Sequence, residues 1–152
     1  MSAHVRRAAL RIAEDAVSSD ELVSLCKAAM DDPDEFVRVQ SALSLGEAEQ
    51  AEALAMLVTL FAKDERSGSM RSAVLSSLGG REVEFLTLIE QDDLIAERTA
   101  SSRTILADLA DAVLRSRNRE RITALFSFAA QRPAEREWQT RTVLDRVGAA
   151  MK

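Results

Sequence analysis

The sequence contains few of the residues that interrupt helices or cross-link a chain. Its 152 residues include two Pro, five Gly, one Cys, one Trp and no Tyr. Because Pro and Gly are the usual breakers, their scarcity favours an all-helical chain. The single cysteine, Cys26, excludes an intramolecular disulfide. No apolar run is long enough to span a bilayer, and no basic start followed by an apolar stretch marks a signal peptide.

Charge is distributed unevenly along the chain, whose net charge is −5. Residues 1–66 carry thirteen Asp and Glu against seven Lys and Arg, whereas residues 98–152 carry six against eleven. This asymmetry either steers a charged partner towards one end or reflects two solvated faces of opposite sign. The net acidity argues against nucleic acid as a partner.

A helical motif recurs three times at nearly constant spacing. The segments "VRRAALRIAED", "VRVQSALSLGE" and "MRSAVLSSLGG" each begin with a hydrophobic–Arg pair, at Val5-Arg6, Val37-Arg38 and Met70-Arg71. Repetition at about 32 residues is typical of stacked helical hairpins, since one hairpin cannot bury its apolar face alone.

Local signals predict where the helices of the second and third copies start and stop. Asp32 followed by Pro33 is a favoured N-cap and first helical residue. Gly46 and Gly79 close the second and third copies, where a helix end often needs a left-handed residue. The Arg of each hydrophobic–Arg pair can bond an acidic cap of its own or an adjacent repeat, such as Asp32 or Asp34. Such exposed ion pairs are expected to fix the register of the helices more than they stabilise the fold.

Apolar residues between these segments follow the helical period of 3.6. The sequence therefore predicts a right-handed α-α superhelix of four helix pairs and a final helix. One layer of helices is expected outside, and the other is expected to line a shallow concave face. The predicted single domain, 1–152, comprises repeats 3–30, 32–63, 67–91 and 97–131, then a helix at 135–151.

These motifs resemble HEAT repeats of the short bacterial, phycobilisome-lyase-like kind, within the HEAT/armadillo class of solenoids. Together with "WQTRTVLDRVGA", they are similar to the HEAT region of planctomycete-type exported dehydrogenase-like proteins. In that family the array lies between a β-propeller and a c-type haem domain. The resemblance implies an exported or periplasmic parent protein, of which this chain is a fragment that contacts neighbouring domains of the same polypeptide.

Departures from that family limit what these residues do. The chain has no Cys-x-x-Cys-His, so any haem c would be attached elsewhere and no cofactor is expected here. The uncapped apolar residues of the first and last helices are expected either in an excised fragment or in a small protein that forms a homodimer through them.

Few residues offer chemistry. His4 is the only histidine and has no clustered second ligand, so no metal site is predicted. Cys26 lies on an apolar helix face and is interpreted as a core thiol. The segment "RSRNRER", with Arg115, Arg117, Arg119 and Arg121, is either a solvated turn or a clamp for carboxylates or phosphates. Trp138 either anchors the last helix or marks a partner interface.

Three functions compete. The chain is predicted to be a non-enzymatic scaffold that binds protein, either as a spacer between redox domains or as a free-standing adaptor. A HEAT-like DNA glycosylase or other nucleic-acid binder would need a basic groove with aromatic residues. A chromophore lyase is suggested only by the likeness to phycobilisome-lyase-like repeats.

Overall fold

The computed structural model describes residues 1–48 and 50–151, and all regular elements in these residues are helices. Nine α-helices occur in this part of the chain, and it contains no strand. They are α1 Ala3–Ala16, α2 Ser19–Ala29, α3 Glu35–Leu45, α4 Ala51–Lys63, α5 Gly68–Ser77, α6 Glu82–Gln91, α7 Ala100–Ser116, α8 Arg119–Ala130 and α9 Glu137–Ala150. The prediction of an all-α chain with four helix pairs and a final helix is confirmed.

Polar caps fix the start of several helices. At α2, the Ser18 hydroxyl accepts the backbone N–H of Glu21 (3.4 Å), whose carboxylate accepts the N–H of Ser18 (3.0 Å). Thr99 and Ser102 make the same reciprocal pair at α7, at 3.0 and 2.9 Å. Because such caps satisfy donors that a helix leaves unpaired, local sequence alone sets these boundaries.

The predicted start of α3 at Asp32 and Pro33 is wrong by two residues. Asp34 is the N-cap, and its carboxylate accepts the N–H groups of Phe36 (2.9 Å) and Val37 (3.3 Å). The Asp32 carboxylate is used instead by Arg6 and by the backbone N–H of Asp34. Asp32 thus bonds an arginine of the preceding repeat, and Asp34 caps the helix.

The chain divides into two compact units, Met1–Gly79 (unit 1) and Gly80–Lys152 (unit 2). In unit 1, α1, α3 and α5 lie side by side, while α2 packs on α1 and α3, and α4 packs on α3 and α5. This alternation of two helix layers is the packing of an α-solenoid. The single domain over residues 1–152 and the right-handed superhelix stay predictions.

The repeated hydrophobic position differs in burial along unit 1. Val37 and Met70 are buried, but Val5 is 48% exposed. Helix α1 contacts α2 and α3 through a face that buries Leu10 and Ala13, and Val5 lies outside that face. Val5 thus occupies the repeat position of Val37 and Met70 in sequence, but it is not buried as they are.

The two predicted glycine stops behave differently. Gly79 has a φ of 54°, the left-handed conformation expected at a helix end. Gly46 has a right-handed φ of −64°, so the expectation of a left-handed stop there is wrong. A Cβ at Gly46 would lie 2.9 Å from Ser77 Cα, so the residue is small because α5 passes close to the end of α3.

Unit 2 also has two layers. Helix α7 packs on α9, and α6 and α8 pack on α7 and on each other. Its largest buried side chains include Phe85, Ile105, Leu106 and Leu109. Helix α9 buries Val143. Arg136 bonds Glu90 (2.6 Å) and Gln139 donates to the Ile95 carbonyl (2.7 Å), which fixes the start of α9.

Candidate functional site

The arginine-rich segment forms the junction between α7 and α8. Arg115 lies in the last turn of α7, and Arg117 ends that helix in a left-handed conformation with a φ of 52°. Asn118 caps α8, its side chain accepting the N–H of Arg121 at 3.1 Å. The predicted inter-helix loop is therefore only two residues long, and two of the four arginines belong to α8.

The four arginines of this segment do not act together. Arg121 is half-buried, 3.8 Å from Glu82, and its guanidinium occupies the space that a side chain at Gly80 would fill. Arg119 is exposed. Arg115 and Arg117 instead line an open cavity of ≈ 370 Å³ beside the end of α9. Arg121 thus has a packing role, whereas Arg115 and Arg117 face a binding-sized space.

Trp138 lies at the other end of the same two helices. It is half-buried at the start of α9 and lines a cavity of ≈ 190 Å³ together with Arg98, Arg103 and Arg141. Arg103 and Arg115 are separated by twelve residues of α7, or about 18 Å along the helix. Trp138 is therefore not brought together with the arginine-rich segment, although both lie along the α7–α9 contact.

A third cavity of ≈ 450 Å³ lies between these two. It shares Arg103 and Asp145 with the Trp138 cavity and Arg146 with the cavity beside Arg115. On its α7 side, the small residues Ala100, Thr104 and Ala107 flank Arg103. Because neighbouring cavities share lining residues, the three lie in a row along α7 and α9, and we name this surface the α7–α9 groove.

Sequence reasoning missed Arg98, Arg103, Arg141 and Arg146 as groove residues. A signal for one of them was present: Arg103 follows Arg71 by 32 residues and continues the series of Arg6 and Arg38. The other three carry no repeat signal, since only the packing of α9 against α7 brings them to one surface.

Two repeated arginines of unit 1, Arg6 and Arg38, form bidentate ion pairs. Arg6 bonds both carboxylate oxygens of Asp32 (2.6 and 2.7 Å), and Arg38 bonds both of Asp64 (2.7 and 2.8 Å). Arg38 also donates to the Asp32 carbonyl at 2.7 Å, which joins the two pairs into one ladder. Arg6 therefore bonds one of the two acids expected to pair with a repeated arginine, although Asp32 is not the helix cap. The acid lies 26 residues after its arginine in both pairs.

The ladder affects proton binding. Hydrogen bonds from the Arg6 guanidinium, aided by the N–H of Asp34, hold the pKa of Asp32 below its ordinary value. Because the pKa is lower in the folded than in the unfolded chain, this pair stabilises the fold at neutral pH. That contribution is lost as the pH falls through the folded-state pKa of Asp32.

Cys26 is the core thiol that the sequence predicted. It is fully buried in unit 1, and burial raises the pKa of its thiol to about 11. His4 is exposed, and the described residues contain no group of three or more His, Cys, Asp or Glu that could hold a metal. None of the described helices is long and apolar enough to cross a membrane.

The Cys26 thiol provides a test of burial in unit 1. We expect no reaction with Ellman's reagent at mildly alkaline pH in the folded chain, because the thiol is inaccessible and its raised pKa disfavours the thiolate. Denaturant should release one equivalent of reactive thiol, matching the single cysteine. Rapid labelling without denaturant would contradict the packing of α2 against α3.

The helix layers of unit 1 define an α-solenoid of stacked hairpins. The chain matches the HEAT repeats family over residues 1–79, just over half of its length and the same span as unit 1. The chain therefore belongs to the HEAT-repeat family. Proteins of this family are typically non-enzymatic, and HEAT repeats commonly mediate protein interactions. No curated protein and no solved structure matches the chain.

Proposed function

We propose that the chain is a non-catalytic scaffold that binds a protein partner. The observation that carries this proposal is the two-layer HEAT stacking of α1–α5, since solenoids of this kind present extended surfaces for binding. The chemistry of the single cysteine and histidine agrees with it. Cys26 is buried with a raised pKa and His4 lies alone at the surface, so neither resembles an activated catalytic group. The proposal includes no cofactor within these residues.

We also propose a finer role, that of a spacer between redox domains of a larger dehydrogenase-like haem protein. The likeness of the repeat motifs to that family supports it. In this role the partners are domains of the same polypeptide, and haem is attached outside these residues. A free-standing adaptor would use the same scaffold with a separate partner chain.

Purification from the native source with chemical cross-linking tests both roles. We expect a protein in fixed stoichiometry with the chain, read by size-exclusion chromatography with light scattering and by mapped cross-links. Cross-links to a propeller or haem domain of the same polypeptide would support the spacer role. Cross-links to another chain would support the adaptor role. Elution alone, with no cross-linked protein, would contradict the scaffold.

Nucleic-acid binding is the second candidate, favoured only by the arginines of unit 2. Unit 1 carries thirteen acidic against eight basic residues, and unit 2 carries twelve of each, so no unit is basic. We expect labelled single-stranded and duplex oligonucleotides to show no change in anisotropy at low salt. Binding that weakens steeply as salt is added would favour this function instead.

A further inference from the structure

The repeat series places one arginine in the α7–α9 groove without its usual acid. The fourth residue of each of α1, α3, α5 and α7 is an arginine: Arg6, Arg38, Arg71 and Arg103. Arg6 and Arg38 bond an aspartate 26 residues later, but the residue 26 after Arg103 is Ala129. Arg103 is exposed and bonds no carboxylate in residues 1–48 and 50–151.

The groove as a whole has more arginines than carboxylates. Six arginines and three carboxylates line it, and two of those arginines already face an acid. Arg146 bonds both oxygens of Asp111 (2.8 and 2.6 Å), and Arg141 lies 3.6 Å from Glu137. The others are exposed and bond no acid in the described part of the chain: Arg98, Arg103, Arg115 and Arg117.

We propose that the α7–α9 groove binds an extended acidic segment of a partner protein. This inference rests on the proposed scaffold function and specifies the partner's chemistry. Guanidinium groups match carboxylates through paired hydrogen bonds, so the four arginines that lack acids are suited to Asp and Glu side chains. A groove with an excess of positive charge also attracts an acidic chain during encounter.

The spacing of the arginines fits a short extended segment. Arg98 and Arg103 lie at one end of the groove, and Arg115 and Arg117 lie at the other. Helix α7 has 17 residues. It is therefore about 25 Å long, the length of roughly seven or eight residues of extended chain. Thr104 and Ala107, small residues of α7 between the two ends, leave room for a peptide backbone.

Aromatic content favours a peptide over a nucleic acid. Single-stranded nucleic acids are bound by several aromatic side chains on which successive bases stack. The groove has one aromatic residue among its lining residues, Trp138, at one end. One indole can pack against an aliphatic or aromatic anchor of a peptide, but it cannot provide a series of stacking surfaces.

Fluorescence anisotropy with the full chain tests the proposal. The probe is a fluorescein-labelled octapeptide of alternating Glu and Ser, and the control peptide alternates Gln and Ser. At low ionic strength, we expect the acidic peptide to bind and the control peptide not to bind. Binding should shift the emission of Trp138, the only tryptophan. Arg103→Ala and Arg117→Ala should each weaken binding about threefold to fivefold, the scale of an exposed ion pair.

Arg119→Ala is the matched control, since Arg119 is an exposed arginine of unit 2 that does not line the groove. It should leave the affinity unchanged, and thermal melts should show all three variants folded. Equal binding of both peptides, or equal weakening by Arg119→Ala and Arg103→Ala, would overturn the proposal. An oligonucleotide that binds through Arg103 more tightly than the acidic peptide would also overturn it.

Failure of this inference is distinct from failure of the scaffold function. A partner recovered by cross-linking, together with no binding of the acidic peptide, would overturn the groove assignment and leave the scaffold in place. Peptide binding that depends on Arg103, with no partner recovered, would contradict the scaffold proposal, and the groove would then be a site for acidic ligands other than a partner protein.

Discussion

Leu57→Arg should unfold unit 1. Leu57 is fully buried in α4, a helix that packs on α3 and α5. A guanidinium there would be removed from water without a partner, and such a change costs on the order of 4–5 kcal/mol or more. Because small domains have a free energy of unfolding of roughly 5–15 kcal/mol, most of the stability of unit 1 should be lost.

Two probes read this result separately in the two units. Helicity in a far-ultraviolet melt should fall, and the Cys26 thiol of unit 1 should become reactive without denaturant. Trp138 fluorescence reports on unit 2 in the same sample. Ala55→Arg adds the same charge to an exposed position of α4 and should leave the melt close to that of the wild type. A melt of Leu57→Arg equal to that of Ala55→Arg would show that Leu57 does not face the core.

The repeat made the fold of unit 1 predictable. Val37-Arg38 and Met70-Arg71 mark equivalent positions of α3 and α5, and the buried side chains of α4 follow the apolar period that identified it. The period is less informative where a helix has a neighbour on one side only. Leu25 and Leu144 follow the apolar period of α2 and α9, yet they are 45% and 52% exposed. Sequence periodicity shows which face is apolar, but not whether another helix covers it.

The groove was only partly predictable, because its residues come from segments without a shared motif. The four arginines of "RSRNRER" identified this segment as a candidate site, yet only Arg115 and Arg117 line the groove. Arg121 lies 3.8 Å from Glu82, and its guanidinium fills the space beside Gly80. This arrangement depends on how α8 packs against α6. Arg98 and Arg141 have ordinary sequence surroundings and reach the same cavity as Trp138 only through the packing of α7 on α9.

The two units use the same repeated arginine in different ways. In unit 1 an aspartate follows each of Arg6 and Arg38 at a fixed distance, so the guanidinium links the leading helix to the chain that follows the second helix. At Arg103 the helix position is kept, but the residue 26 positions later is Ala129, which lies inside α8 and carries no acid. The same helix position therefore forms an ion pair at Arg6 and Arg38 of unit 1 and leaves an exposed charge at Arg103 of unit 2.

Asp64→Ala should destabilise unit 1 far more than removal of an ordinary surface ion pair. The side chains of Arg38 and Asp64 are only 12% and 16% exposed, so loss of Asp64 leaves a guanidinium with little solvent and only the Asp32 carbonyl as a described acceptor. We expect a loss of about 2 kcal/mol, below the roughly 3–5 kcal/mol that follows disruption of a fully buried pair.

The pair of Lys27 and Glu52 is the matched control, since these side chains are 68% and 58% exposed. Glu52→Ala should change the free energy of unfolding by less than about 0.5 kcal/mol. Urea denaturation of both single variants, of Arg38→Ala and of the double variant completes a mutant cycle, with an expected coupling of about 1–2 kcal/mol between Arg38 and Asp64. A coupling near zero would mean that the repeated Arg–Asp pair contributes no more than a surface contact. The ladder would then fix the register of the helices without stabilising them.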